Sequence, residues 1–219
     1  MQGYSKAAHF FNTAEKEAIE AATRAAELNT IGEIAVMVVD ASSRYREAEV
    51  FGGITLGNIL AFLATVFFLD ESIWWYVPLT LAFFVPSWLL FRKIPVLRIH
   101  FANPARRELA VQGRALRAFY EKGLYRTVQN TGVLFFISIL ERKVWVLADR
   151  GIYEKITQAR LNDMAQSVSE GIRQGRAAEA LATAIREAGE LLGEHFPIRD
   201  GDTNELPDAI MIESNPDDD

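Results

Sequence analysis

The chain has 219 residues, half of them hydrophobic, no cysteine and a formal net charge of −6. The lack of cysteine excludes disulfides, thiolate zinc sites and cysteine nucleophiles, and fits a reducing compartment. The acidic balance argues against nucleic acid as a partner, because phosphate binding needs a clustered basic face that releases counterions; the one basic grouping is Arg92, Lys93, Arg98, Arg106 and Arg107.

The opening MQGYSKAAHFFNTAEKEAIE has no apolar core of signal-peptide length, so the N-terminus is expected to stay unexported. From Asn12 a helix is predicted to about Asn29. Asn12 or Thr13 is its N-cap, acids from Glu15 to Glu17 lie in its first turn, and Ile19, Ala22, Ala26 and Leu28 form its apolar face. After Gly32 the run EIAVMVV, Glu33 to Val39, predicts a well-buried strand ending at Asp40. One helix and one strand cannot close a core.

Val50 to Leu69 and Ser72 to Phe91 follow, each about the 20 uncharged residues that cross a ~30 Å hydrocarbon layer. Neither has a polar stripe, and the rest of the chain is too short to wrap two such helices on every side. Asp70 and Glu71, the only charges between Val50 and Arg92, then mark the tip of a membrane hairpin. Trp74, Trp75, Tyr76 and Trp88 suit the membrane interfaces. Pro78 and Pro86 are tolerable in a span. Gly53 and Gly57 form a small-residue face for close helix approach. Arg44, Arg46, Arg92, Lys93 and Arg98 flank the spans while the tip has no base, so both termini are expected in the cytoplasm, at the inner (cytoplasmic) membrane. The flanking cations are expected at the headgroups, where basic residues favour anionic lipid.

Beyond the spans, Asn103 caps and Pro104 opens a helix to about Leu124. TGVLFFISILERKVWVLAD predicts strands Val133 to Leu140 and Lys143 to Ala148, joined at Glu141 and Arg142 as an antiparallel hairpin. Helices are predicted from about Thr157 to Gln174 and Ala177 to Gly193, and AIMIES near the end is a candidate edge strand. The first strand needs the later ones as neighbours. The expected organisation is therefore one α/β domain, split into residues 1–49 and 93–198. A transmembrane hairpin, 50–92, interrupts it with spans at about 51–69 and 73–91, and an acidic tail, 199–219, is expected to be partly disordered.

IGEIAVMVVDASS (Ile31 to Ser43), NTGVLFFISILERKVWVLADRGIYEKI (Asn130 to Ile156) and EGIRQGRAAEALATAIREAGELLGEHFP (Glu170 to Pro197), in this order, resemble the TPM domain family. That family includes thylakoid-lumen acid-phosphatase-like proteins and an accessory protein of an acetylcholine receptor. The resemblance implies an α/β/α sandwich with a small mixed sheet, and either phosphatase activity with divalent metal binding or an accessory role on membrane complexes. Many members carry a single anchor outside the domain and face an extracytoplasmic compartment. Here the spans interrupt the domain and the charges point to the cytoplasm.

Asp40, followed by Ser42 and Ser43, and Asp149, followed by Arg150 and Glu154, sit at expected strand ends. If those ends share one edge, Asp40, Asp149 and Glu154 form a candidate oxygen site for Ca²⁺ or Mg²⁺. The alternative is that the aspartates satisfy nearby backbone amides. Glu33, at a strand start, is expected to be exposed or salt-bridged. DGDTN, Asp200 to Asn204, fails as a calcium loop because Glu205 stands at the glycine place and Met211 at the bidentate glutamate. His9, His100 and His195 show no zinc-binding spacing, and no serine-hydrolase elbow or P-loop occurs. His195 is expected at a helix end, where a cation suits the dipole. The expected role is a membrane-anchored interaction or accessory module. Its partners are the lipid bilayer and another membrane protein or a second copy of itself, and no nucleic acid. The competing expectation is a divalent-metal-dependent phosphatase. Two spans without an intramembrane ionisable residue do not suit transport.

Overall fold

A computed structural model describes residues 5–68, 73–127, 129–198 and 205–213. Asp70 and Glu71 of the expected hairpin tip, and Asp200 to Asn204, lie outside the described residues. The chain divides into two compact units: residues 1–43 with 110–219, and residues 44–109.

In the first unit α1, Thr13–Glu27, starts where Asn12 accepts from the Glu15 amide while the Glu15 side chain accepts from the Asn12 amide, a capping box that satisfies two otherwise orphaned donors. Ile19 and Ala26 are buried as expected, but Leu28 falls on the C-cap beyond the last turn and is exposed; Thr23 is buried in its place. β1, Glu33–Val39, is buried along its whole length. α5, Pro104–Glu121, whose residues up to Leu109 belong to the second unit, starts with Pro104 and with Asn103 accepting from the Ala105 amide. It stops before Gly123, which takes a left-handed conformation (φ 78°) that favours glycine and ends the helix ahead of Leu124.

β2, Gly132–Ser138, lies parallel to β1 in register from Glu33 opposite Gly132 to Val39 opposite Ser138. β3, Lys143–Ala148, returns antiparallel to it. The expected first strand of that hairpin ends two residues early, because Ile139 to Arg142 form the turn: the Arg142 amide donates to the Ile139 carbonyl and Arg142 has a positive φ of 53°. The short α6, Arg150–Tyr153, then leads to α7, Gln158–Arg173, and α8, Ala177–His195, whose last turn carries His195. β4, Met211–Glu213, adds parallel to the other side of β1. Among the described residues the sheet order is β3-β2-β1-β4.

Both faces of the sheet are covered, which is why its two central strands read as unbroken apolar runs rather than alternating ones. Ile34, Val36, Val38, Val133, Phe135 and Ile137 pack with α1, α7 and α8 residues such as Ile19, Leu161 and Ile185. Ala35, Met37, Val39, Leu134 and Phe136 pack on the opposite face with Val111, Ala115, Ala118 and Phe119 of α5. This is the α/β/α sandwich that the resemblance implies.

The second unit holds α2, Arg46–Phe68, and α3, Ile73–Lys93, packed against each other, and a short α4, Pro95–Phe101, that touches both. Both long helices are long and apolar enough to cross a membrane. Gly53 and Gly57 provide the close approach: a Cβ on Gly53 would lie 3.0 Å from the Trp88 Cα, and one on Gly57 3.1 Å from the Phe84 Cα. The Tyr76 hydroxyl donates to Asn58 Oδ1 at 2.9 Å, a polar link between the two helices. Arg98 of α4 donates to the Arg44 carbonyl at 3.0 Å and to Glu49 at 2.8 Å, and Phe101 meets Phe91 edge-on at 5.0 Å, so α4 is tied to both long helices.

Candidate functional site

The carboxyl ends of parallel strands are where open α/β sheets present ligand-binding loops, and Asp40 stands at that end of β1. Its Oδ1 accepts from the Ala7 amide at 2.6 Å and the Ser5 hydroxyl at 3.3 Å, and its carbonyl accepts from the Leu140 amide. Beside it the Ser42 hydroxyl donates to Ser138 Oγ at 2.8 Å, Ser138 donates to Glu141 Oε2 in a short bond, and Glu141 Oε1 accepts from the Ser42 amide at 3.0 Å. Glu141, expected in a polar turn, is only 6% exposed. Its burial follows from that use: the carboxylate joins the β2–β3 turn to the loop leaving β1.

The set Ser42–Ser138–Glu141 is a hydroxyl relay ending on a buried acid. The two bonds from Ser42 staple the loop leaving β1 to β2 and its turn, and the Ser138–Glu141 bond closes within that turn. Ser42, the partly exposed member, is the place where such a relay meets solvent. Sequence reasoning noted Ser42 but missed Ser138 and Glu141, which read as the last residue of an apolar strand and a turn residue.

The structure does not bring Asp149 or Glu154 to this end. β3 runs antiparallel to β2, so the chain leaves it at the opposite edge, where the Asp149 amide donates to the Gly132 carbonyl. The seven residues of β2 lie between the two aspartates, a separation of about 20 Å at ~3.3 Å per strand residue. Asp149 is the N-cap of α6, its Oδ1 accepting from the Arg150 amide at 2.7 Å. Glu154 is exposed and 3.7 Å from Arg150. Asp40 and Asp149 thus stand at opposite ends of the sheet, and each accepts from a backbone amide. No cluster of three metal-binding side chains occurs among the described residues.

A second set of acids gathers at the amino end of β1. Glu33 is buried, not exposed, and its Oε1 accepts from the Glu205 amide at 3.0 Å. Glu27, from the last turn of α1, accepts from the Ile34 amide at 2.8 Å. Asp208, from the segment before β4, pairs with Arg24 at 3.0 Å. The Glu27 carboxyl is raised from its ordinary 4.5 to about 8: burial is the main cause, the Ile34 amide hydrogen bond opposes it, and the neighbouring Glu33 and Asp208 charges add to it. Glu27 is thus mostly a neutral acid at pH 7. Nothing local in the sequence marks this group, since Arg24 and Asp208 are separated by 184 positions.

The family model described as the TPM domain matches residues 98–191. The chain carries a TPM domain. The match takes in α5 to most of α8, with β2, β3, the Glu141 turn and Asp149. β1, with Asp40 and Ser42, lies outside the matched residues, yet it is the central strand against which β2 of the TPM domain pairs. The fold is similar to the NMR structure of BA42 protein from the psychrophilic bacterium Bizionia argentinensis sp. nov., with a TM-score of 0.59 and 20% identity over 93% of this chain and 96% of that one. No curated protein matches the chain.

Proposed function

We propose that the chain is a TPM domain fixed in the inner (cytoplasmic) membrane by an internal helical hairpin, with both termini in the cytoplasm. There it serves as an interaction or accessory module for another membrane protein or for a second copy of itself. One observation carries the reading. α2 and α3 turn large apolar side chains outward along their length, among them Ile54, Phe62 and Phe67 on α2 and Val77, Leu81 and Val85 on α3; Trp74 is 86% and Leu81 69% exposed. A helix of that composition in a water-soluble core is buried. Contiguous apolar surface of this extent calls for lipid or a partner, and spans of 23 and 21 residues suit lipid. The accessory role is supported by the placement of the named acids, since Asp40 and Asp149 lie at opposite ends of the sheet and each binds backbone amides.

Membranes from cells expressing the full chain, washed with alkaline carbonate and floated on a density gradient, test the anchor. Retention in the floating fraction is expected; release as a monomer without detergent defeats it. The detergent-purified chain, given a generic phosphomonoester with and without Mg²⁺ or Ca²⁺, tests the accessory role against metal-dependent hydrolysis. No metal-dependent turnover is expected. Turnover abolished by Asp40→Ala or Asp149→Ala replaces the accessory role with the phosphatase one.

A further inference from the structure

The hairpin unit has two chemically different ends. Because α2 and α3 pack with Gly52 beside Phe91 and Gly57 beside Phe84, they run antiparallel, and the first turn of α2 lies next to the last turn of α3. Cations collect there: Arg46 in the first turn of α2, Arg92 and Lys93 in the last turn of α3, Arg98 in α4 and Arg106 in the first turn of α5. Two of the five are already neutralised within the unit. Arg98 is buried against Glu49 at 2.8 Å, and Arg106 pairs with Glu47 at 3.2 Å. Arg46, Arg92 and Lys93 are exposed and have no carboxylate partner among the described residues. The Arg92 guanidinium lies 5.5 Å over the Trp88 ring, which holds it at the end of the span.

α4 completes this end. Arg98 and Ile99 are buried against the hairpin, while Val96 and Phe101, with Ile94 just before the helix, remain exposed. Exposed apolar side chains on a short helix beside unpaired cations form the pattern of an element lying in the headgroup plane. The two nearby acids of α2 are occupied by Arg98 and Arg106, which leaves Arg46, Arg92 and Lys93 open to counter-charge from outside the unit. At this depth the available counter-charge is the leaflet itself.

We propose that Arg46, Arg92 and Lys93 form a collar that gathers anionic phospholipid headgroups, with α4 seated among them as an interfacial foot. This rests on the membrane reading above. An anionic leaflet attracts each nearby Lys or Arg by about 1 kcal/mol, which corresponds to roughly fivefold in local lipid association per charge. The bland alternative is that Arg92 and Lys93 only complement the negative end of the α3 dipole; that role has no lipid preference.

Trp88 is a built-in reporter. The full chain with Trp74→Phe, Trp75→Phe and Trp145→Phe is reconstituted in vesicles of phosphatidylcholine containing either brominated phosphatidylglycerol or brominated phosphatidylcholine, and Trp88 quenching gives the relative association of the two lipids. The expected result is a preference for phosphatidylglycerol of roughly fivefold or more, reduced by 0.5 M salt and falling towards one in R46Q/R92Q/K93Q. The lipid co-purified with the chain of natural tryptophan content, weighed by mass spectrometry, should show the same enrichment and its loss in the triple variant, so the result does not depend on the tryptophan replacements. Equal quenching by both lipids, or a preference unchanged in the triple variant, overturns the collar and leaves the anchor standing. Absence of quenching by either lipid, with the chain left in the aqueous phase, overturns the anchor and the collar together.

Discussion

β2 and α3 are made of similar side chains and meet opposite surroundings. Phe135 and its neighbours in GVLFFIS are enclosed by helices on both faces of the sheet, whereas Leu81 and its neighbours in IWWYVPLTLAFFV look outward. The strand is covered by the protein's own helices, whereas the helix leaves most of its large apolar side chains exposed. Composition alone does not separate the two cases, but length and surroundings do. Seven residues bounded by Thr131 and the Glu141 turn fit a buried strand, and 21 residues without a polar stripe fit a bilayer.

The largest expected effect comes from truncating one side chain of each kind. Phe135→Ala should destabilise the α/β unit by about 3–5 kcal/mol, the range for losing a buried phenyl ring. Leu81→Ala should cost under about 1 kcal/mol in bilayers or micelles, because lipid meets that side chain whether or not the helices are packed. Denaturant titration of both variants in lipid nanodiscs measures the contrast. Comparable losses at the two sites would mean that α3 is covered by protein and would dissolve the comparison.

Glycine gives a finer contrast. Gly53 lies against the Trp88 backbone, whereas a Cβ at Gly113 on α5 meets nothing within 4 Å. Gly53→Leu should therefore force α2 and α3 apart at a cost of about 1–3 kcal/mol. Gly113→Ala should stabilise by about 0.5–1 kcal/mol through helix propensity and the unfolded chain's lost freedom. A donor–acceptor pair across the hairpin reads the first as a longer separation, and thermal unfolding reads the second. An unchanged separation in Gly53→Leu would deny the close helix approach.

The amino end of β1 adds a pH dependence. Glu27 titrates near 8 in the folded chain against an ordinary 4.5, so between those values the folded state binds more protons than the unfolded state. Stability contributed by the neutral acid is full below about 4.5 and declines as pH rises towards 8. Partial exposure of the group reduces the effect to about 1–2 kcal/mol across that window. Glu27→Gln keeps an acceptor for the Ile34 amide and cannot ionise, so its melting temperature should fall less between pH 5 and 9 than that of the wild type. Parallel slopes would mean that Glu27 is not the group responsible.

Most of the layer order was legible, for reasons visible in particular residues. Asn12 with Glu15, and Asn103 with Pro104, are local signals for helix starts, and the β2–β3 hairpin is written in two apolar runs around Glu141 and Arg142. What could not be read is non-local. The edge at which a strand ends depends on whether its neighbour runs parallel or antiparallel, so Asp40 and Asp149 looked equivalent in the sequence and stand at opposite ends of the sheet. Glu141 looked solvated because turns usually are, and it is buried by Ser42 and Ser138, each reached through a different segment. The group of Glu27, Glu33 and Asp208 depends on the return of the chain to β4, which no local pattern announces.

The smallest effects belong to the residues that first suggested a metal. Asp149 caps α6 through its Oδ1, while its Oδ2 is buried without a hydrogen-bond partner among the described residues. Losing a cap costs about 1 kcal/mol, and relieving the unpaired buried oxygen returns part of that, so Asp149→Ala should destabilise by no more than about 1 kcal/mol. Glu154→Gln removes only an exposed pairing with Arg150, and its effect should stay within about 0.5 kcal/mol. Adding Ca²⁺ or Mg²⁺ to the wild type, Asp149→Ala and Glu154→Gln should move their melting temperatures alike, because Asp149 is engaged by the Arg150 amide and Glu154 is exposed beside the Arg150 side chain. A metal-induced stabilisation present in the wild type and lost in both variants would show that the β3 end gathers a ligand set after all, and would return the comparison of the two sheet ends to the metal that the sequence suggested.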